Sequence, residues 1–163
     1  MISQPLLKNL YEESYALVKQ QIEGVEHQDS IYQPAYGGNC LNWILGHIIV
    51  ARCNFMMLLD IPSIWDMAQC LRYIPGSEPI TGVKDAILFE TLCVDFDKTQ
   101  EQLLMALDQV SREKLQETSG EKTIGEHLAL YNSHEAYHAG QLELLRQILD
   151  NRDQDSVVTK GNL

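Results

Sequence analysis

The segment from His134 to His138, which reads His-Glu-Ala-Tyr-His, contains the residue types and spacing best suited to chemistry. Histidines four residues apart on a helix lie one turn above each other, so both rings can reach one metal ion. The alternative is an exposed helical face on which the two rings are only polar groups, since Glu135 and Tyr137 lie beside them. The spacing therefore predicts two ligands of a metal site.

His47 is the candidate for a third ligand. It lies on the expected inward face of an apolar helix with Trp43 and Ile44, where an imidazole needs a partner. A single histidine on such a face is more often a core residue whose ring bonds a carbonyl or hydroxyl oxygen. The His134/His138 pair in the same short chain favours the metal-ligand interpretation for His47.

The same five residues also match the His-Glu-x-x-His motif of zinc peptidases. The extended form of that motif needs Gly and His where this chain has Gln141 and Leu144. No histidine follows His138, and Glu143 points away from the histidine face of the helix. The sequence therefore does not favour a peptidase.

Three polar side chains near the pair are candidates for roles in the site. Glu135 is a candidate proton acceptor or partner of a ligand, although the helix turns it about 100° from His134. A solvated surface glutamate explains it equally well. Gln141 lies nearly one turn beyond His138 and is predicted to orient a ligand. Arg146 suits an anionic substrate group, but a salt bridge with an acidic residue is the favoured role.

Two other histidines and one loop are less directly connected with this chemistry. We expect His27 to be solvated in a loop and His127 to pack rather than to bind the ion, which lies two turns away. The segment from Ile61 to Pro79 contains Trp65, Met67 and Tyr73, and it would either close over the site or pack as an ordinary connection.

Four amphipathic segments must position these residues. Apolar residues recur at three- and four-residue steps in each of them, and no segment shows a sustained alternating pattern, so we expect helices and no sheet. Asn39, Thr81 and the Thr123/Glu126 pair are the expected N-terminal caps of the second, third and fourth helices. The predicted helices cover residues 6–22, 39–59, 81–110 and 123–149.

The connection between the second and third helices is the longest in the chain. Pro62, Pro75, Gly76 and Pro79 exclude one continuous helix there, although residues 63–71 can form a short turn of helix. About twenty residues can cross from one end of a helical bundle to the other, which makes the two helices parallel. The sequence thus predicts an all-α four-helix bundle over residues 1–150, with a polar, frayed tail over residues 151–163.

Charge and hydropathy restrict the partners. The 163 residues include 12 Lys plus Arg and 23 Asp plus Glu, a net charge of −11, and no basic cluster, so nucleic acid is not expected. The N-terminus lacks the pattern of a secretory signal, and Gly46 and His47 interrupt the longest apolar run, so we expect a cytoplasmic protein with no membrane partner.

The second helix is apolar on much of its circumference. Its expected inward set leaves six further apolar residues, which is more than one core face requires. We therefore expect a homodimer that buries part of this surface. The extra residues are Ile48, Ile49, Phe55, Met56, Met57 and Leu58.

Two blocks of the sequence resemble the DinB/YfiT-like superfamily of small metal-binding helical bundles. The first is GGNCLNWILGHIIVARCNF, which contains His47, and the second is HEAYHAGQLELLRQIL. The resemblance extends from the first helix to about Leu149. It implies an up-down-down-up bundle and a divalent metal, zinc or nickel, held by His47, His134 and His138.

The resemblance also implies a class of reaction. Characterised relatives include S-transferases and isomerases that use a low-molecular-weight thiol, and many other members are described only by the label metal-dependent hydrolase. We therefore expect a metal-dependent transferase or hydrolase for a small-molecule substrate, most simply an S-transferase with a small thiol as cosubstrate. The alternative is a non-catalytic metal-binding module that dimerises or binds a ligand.

Overall fold

A computed structural model of the chain describes residues 2–35 and 37–160, with the side chains of residues 153–160 left out. Within this range the chain is mostly helical, which confirms the all-α prediction. The helices are α1 (Gln4–Ile22), α2 (His27–Ser30), α3 (Leu41–Met56), α4 (Met67–Arg72), α5 (Phe89–Gln109), α6 (Arg112–Gln116) and α7 (Ile124–Lys160). Two short strands, β1 (Thr118–Ser119) and β2 (Lys122–Thr123), precede α7.

The four long helices α1, α3, α5 and α7 enclose the core. The most extensive contacts between elements are those of α1 with α7 and of α3 with both α5 and α7, followed by α1 with α5. One cluster of buried apolar residues surrounds Trp43 and Ile48, and a second joins Tyr11, Phe55 and Leu128. The candidate ligands lie on α3 and α7, two helices that pack directly against each other.

Helix α3 is buried on every face. Each of its residues except Asn54 is buried, because the other long helices and the connection that follows surround it. Four of the six extra apolar residues are therefore inside the chain, with Leu58 half-buried and Met57 exposed. The apolar excess that suggested a second subunit is explained by packing within this chain.

Residues Leu41–Leu59 are long and apolar enough to cross a membrane by length and composition alone. Most of that stretch is buried against the rest of the chain, as in the core helix of a soluble protein.

The connection between α3 and α5 is longer than the sequence predicted. Helix α5 begins at Phe89 rather than at Thr81, whose hydroxyl bonds the side chain of Asp85 instead of capping a helix. Arg72 holds this region in a loop by donating to the backbone carbonyls of Glu78, Pro79 and Asp85. Those bonds compete with helix formation before Phe89.

The expected short helix in this connection is α4, at Met67–Arg72. Asp66 and Gln69 form reciprocal hydrogen bonds at its start. Asp66 Oδ1 accepts from the backbone N–H of Gln69, and Gln69 Oε1 accepts from the backbone N–H of Asp66. Trp65 is buried and its indole N–H donates to Asp95 Oδ2 on α5 at 2.9 Å. The connection is therefore anchored to the long helices.

Helix α7 begins as predicted and ends later. Thr123 and Glu126 form the expected capping box, but β1 and β2 pair in a two-stranded antiparallel ladder that the helical pattern did not predict. The helix continues to Lys160 rather than ending near Leu149, since no Gly or Pro interrupts residues 141–160. Of the predicted frayed tail, residues 151–160 are helical and the last three lie outside the described residues.

Candidate metal centre

The rings of His47, His134 and His138 converge between α3 and α7. His134 Nε2 lies 3.1 Å from His47 Nε2 and 3.0 Å from His138 Nε2. Each of the three residues offers one nitrogen to a common point, and these nitrogens lie within 4.8 Å of one another. The structure therefore brings together the three histidines that the sequence singled out.

An oxygen acceptor next to Nδ1 fixes the position of the ring proton in two of the three histidines. His47 Nδ1 lies 2.8 Å from the backbone carbonyl of Tyr73, and His138 Nδ1 lies 2.7 Å from Gln141 Oε1. The amide of Gln141 is oriented by its Nε2, which donates to the hydroxyl of Tyr137 at 3.2 Å. Both histidines therefore carry their proton on Nδ1 and present an Nε2 lone pair to the common point.

This donor set fits a cation better than it fits hydrogen bonding among the rings. Two Nε2 lone pairs face the Nε2 of His134, which has at most one proton to donate. One divalent ion would accept all three lone pairs, and three imidazoles are a normal ligand set for a catalytic transition metal. His134 Nδ1 is buried and has no hydrogen-bond partner among the described residues.

Burial keeps the three imidazoles neutral at neutral pH. It lowers the pKa of His138 to about 4, an effect that the bond to Gln141 only partly opposes. Burial also lowers the pKa of His47, against the bond to the Tyr73 carbonyl, and the pKa of His134, with His47 adding to the effect. Neutral imidazole is the form that binds a metal ion.

The connection after α3 forms one wall of the site. The ring of Tyr73 packs against α3 at Gly46, and its backbone carbonyl accepts the proton of His47. Trp43 stacks on the His47 ring, with 4.8 Å between ring centroids and 14° between planes, and its indole N–H donates to Ser77. Of the two interpretations of residues 61–79, the contacts favour an ordinary packed connection over a mobile cover.

Glu135 lies in the core and not on a solvated surface. The residue is 2% exposed, and its side-chain oxygens accept from Arg52 Nε and Nη2, each at 2.7 Å, and from the hydroxyl of Ser14 at 2.7 Å. The interpretation of Glu135 as a solvated surface residue is therefore wrong. These three hydrogen bonds occupy both carboxylate oxygens, which opposes the predicted part of Glu135 in proton transfer.

Arg52 is the partner that sequence reasoning missed. It is fully buried, its Nη1 donates to Thr99 Oγ1 at 3.1 Å, and its guanidinium lies 4.1 Å from the centre of the Phe96 ring. A signal was present, because Arg52 is the only Lys, Arg, Asp or Glu between residues 41 and 59. A lone cation in an apolar helix requires a buried anion.

The other polar candidates have structural partners. Gln141 holds His138, so the group that it orients is a side chain of the protein. Arg146 has the favoured role: its Nε bonds Asp150, and its Nη1 also donates to the backbone carbonyl of Glu23 at 2.6 Å.

The remaining two histidines do not join the cluster. His127 Nε2 bonds the backbone carbonyl of Ser119 at 2.8 Å, in agreement with a packing role. His27 was expected to be solvated, but it is half-buried in α2, and its Nδ1 accepts from the backbone N–H of Phe89.

A small cavity lies near the histidine cluster, although none of the three histidines lines it. Its volume is about 220 Å³, and it reaches Ile44, one turn before His47, and Gln141, which bonds His138. A larger cavity of about 760 Å³ lies between α1 and α5, beside Lys19 and Cys93, and none of the three histidines lines it. Of these two cavities, only the smaller has a lining residue, Gln141, that bonds one of the three histidines.

Comparison with known proteins identifies a family. The sequence model of the DinB superfamily matches residues 10–142. A crystal structure of a conserved protein from Enterococcus faecalis superposes with a TM-score of 0.71 and 14% sequence identity, covering 93% of this chain and 99% of that one. At that identity the likeness shows a shared fold alone. No curated protein matches the chain.

Proposed function

The chain belongs to the DinB superfamily, and we propose that it is a metal-dependent enzyme acting on a small molecule at the centre formed by His47, His134 and His138. The observation that carries this proposal is the direction of the imidazole lone pairs. The Tyr73 carbonyl holds the proton of His47 on Nδ1, and Gln141 holds that of His138 on Nδ1. The Nε2 atoms of these two rings both lie close to Nε2 of His134.

The proposed ion is a divalent transition metal, zinc or nickel. Held by three neutral imidazoles, it would act as a Lewis acid with a position open for a further ligand and would lower the pKa of a thiol or water bound there. The chain itself supplies the orientation of the ligands. Trp43 stacks on the His47 ring, and the Tyr73 carbonyl holds the proton of its Nδ1.

The proposed reaction is transfer to or from a low-molecular-weight thiol cosubstrate, with a related transfer or hydrolysis as the nearest alternative. The small cavity lined by Gln141 suits a compact substrate, and Ile44 and Leu145 give it an apolar wall. We assign Gln141 to holding His138 and give Glu135 no proton-transfer step, because both of its oxygens are bonded to Arg52 and Ser14.

We propose that the long helices form the expected up-down-down-up bundle. Contacts between successive turns support parallel pairs α1/α7 and α3/α5 and antiparallel pairs α3/α7 and α1/α5. Residue numbers rise together in the contacts of α1 with α7 (Tyr11 with Leu128, Glu23 with Arg146) and of α3 with the residues that lead into α5 and with its middle (Asn42 with Ile87, Arg52 with Thr99). They run in opposite directions in the contacts of α3 with α7 (Phe55 with Tyr131, His47 with His138) and of α1 with α5 (Lys8 with Asp108, Lys19 with Asp97).

The proposed setting is the cytoplasm, with small molecules rather than nucleic acid or membrane as partners. The net charge of −11 supports the exclusion of nucleic acid. A homodimer also stays a proposal, and since α3 is covered, its support would have to come from another helix. Light scattering of the purified protein would measure the oligomeric state.

A non-catalytic module that dimerises is the second candidate function. The observation in its favour is an apolar stripe on α7, where Leu130, Tyr137 and Leu144 recur every seven residues and are each at least half exposed. Turnover by the metal-loaded protein would exclude this candidate.

The test of the proposed function begins with metal analysis of protein made without a histidine tag. We expect about one zinc or nickel ion per chain, lost in the triple variant His47→Ala/His134→Ala/His138→Ala and kept in the control His127→Ala. The loaded protein is then assayed with small electrophiles, with and without an added thiol. Stoichiometric metal in the triple variant would disprove the site, and thiol-independent cleavage of unstructured peptides would disprove the proposed reaction.

A further inference from the structure

Arg52 and Glu135 form a doubly bonded ion pair between the two helices that carry the histidines. Arg52 Nε donates to Glu135 Oε2 and Nη2 to Oε1, each at 2.7 Å. The side chains are 0% and 3% exposed, so the pair is isolated from water. Two parallel bonds from a planar guanidinium restrict direction as well as distance.

The pair also contacts the two helices that carry no ligand. Ser14 on α1 donates to Glu135 Oε1, and Thr99 on α5 accepts from Arg52 Nη1. Asn132, one turn before Glu135, donates to the Ser14 hydroxyl and to the backbone carbonyl of Leu10. All four long helices therefore meet at one buried polar network, defined by these side chains.

The place of Glu135 in the sequence links this network to the ion. It follows His134 directly, so any rotation of α7 that moves one side chain moves the other. A ring nitrogen lies ~5–6 Å from the helix axis, and a rotation of about 20° therefore displaces it by about 2 Å. Metal–ligand distances tolerate only about ±0.2 Å.

We propose that Arg52 and Glu135 are positioning residues of the metal centre, which set the rotation of α7 against α3 so that His134 and His138 meet His47. The inference rests on the proposed function, because it requires the three histidines to bind an ion. Both side chains would act through the helices that carry the histidines and not as ligands themselves.

A buried ion pair is a weak explanation of stability by itself. The cost of removing both charges from water offsets much of their attraction, and apolar residues of similar volume often replace such a pair without loss. The neighbouring hydroxyls would stay bonded after replacement, since Thr99 also donates to the carbonyl of Phe96 and Ser14 accepts from Asn132. An apolar pair would thus keep the fold and remove the directional restraint.

The test compares the double variant Arg52→Met/Glu135→Leu with the wild type. Zn²⁺ affinity is measured by competition with a chromophoric chelator, and ligand geometry by the visible spectrum of the Co²⁺ form. The melting temperature of each metal-free protein reports the fold. A matched control, Lys19→Met/Asp97→Leu, makes the same chemical change between α1 and α5, which carry no ligand histidine.

We expect the double variant to melt, without metal, at or above the wild-type temperature, to bind Zn²⁺ at least tenfold more weakly and to have an altered Co²⁺ spectrum. The control should keep wild-type affinity and spectrum. A folded double variant with both properties unchanged would overturn the inference. A wild type that binds no metal would instead overturn the proposed function.

If the double variant does not fold, Arg52→Lys decides the question. Lysine keeps the buried cation but loses the two-pronged contact, so a positioning role predicts a fall of at least tenfold in Zn²⁺ affinity with the metal-free fold retained. Unchanged affinity in this variant would overturn the inference.

Discussion

The ring of Tyr73 occupies the space that a side chain at Gly46 would need. A β-carbon built on Gly46 would lie 2.2 Å from Tyr73 Cδ1 and 2.5 Å from Cε1, far inside contact distance. The backbone carbonyl of the same tyrosine accepts the Nδ1 proton of His47, the residue after Gly46. The absence of one side chain thus permits the contact that orients the His47 ring.

Gly46→Ala should therefore weaken metal binding. The added methyl group displaces the buried Tyr73 ring and with it the carbonyl, and loss of such a partner of a ligand histidine typically costs 10–100-fold in affinity. Zn²⁺ competition measures the effect. Gly140→Ala is the matched control, since nothing lies within 4 Å of its β-carbon and alanine favours a helix, so it should bind metal normally and melt no lower. Wild-type affinity in Gly46→Ala would contradict the prediction.

Gln141 offers a test of orientation by an oxygen acceptor. Gln141→Ala removes the partner of His138 Nδ1, and we expect metal affinity to fall about 10–100-fold. Gln141→Glu keeps an acceptor oxygen in the same place and should bind metal at least as tightly as the alanine variant, with most of the affinity restored. Equal loss in both variants would mean that the acceptor is not what matters.

Glu135→Gln should act on stability first. The amide leaves the buried guanidinium of Arg52 without its counter-charge, and breaking one side of a buried pair typically costs about 3–5 kcal/mol. For a chain of this size the melting temperature should fall by about 6–20 °C. Calorimetry of the metal-free proteins measures it, with the surface variant Asp108→Asn as control. An unchanged melting temperature combined with lost turnover would restore Glu135 as a catalytic acid or base.

The stability of the metal-free protein should depend on the protonation of His138. Its pKa is about 4 in the folded chain, below the value near 6.5 of an unfolded histidine, so the unfolded state binds the proton more readily. Neutral His138 therefore makes its full contribution to the free energy of unfolding above pH 6.5. This contribution, about 3 kcal/mol, is lost as pH falls toward 4. Urea unfolding at several pH values measures it. His138→Gln should show a weaker dependence, and parallel curves would contradict the assignment.

The histidine site was predictable because its strongest signals are local. The four-residue spacing of His134 and His138 needs only a helix, and His47 stands out as a polar residue on an apolar one. The pairing of Arg52 with Glu135 was not predictable from local pattern, since 83 residues separate them. The spacing of residues along one helix does not indicate which distant charged residue a side chain on that helix will contact.

The residues at which helices begin were likewise predictable only where nearby residues determine them. The capping box at Thr123 is complete within four residues and was predicted correctly, whereas the start of α5 depends on Arg72, which holds the preceding segment by its carbonyls. The burial of α3 on every face was also missed, because apolar residues beyond one core face look alike whether a second subunit or the same chain covers them.

The wall contributed by Tyr73 has a consequence for the order of events during folding. His47 and His134 are 87 residues apart, and His47 obtains its acceptor from a segment 26 residues further along the chain. Such distant contacts form late, after the entropy of closing long loops has been overcome. If the site binds an ion as proposed, the ion would enter a chain whose helices and connection have already docked, and the rate of metal uptake by refolding protein should report the completion of folding rather than its nucleation.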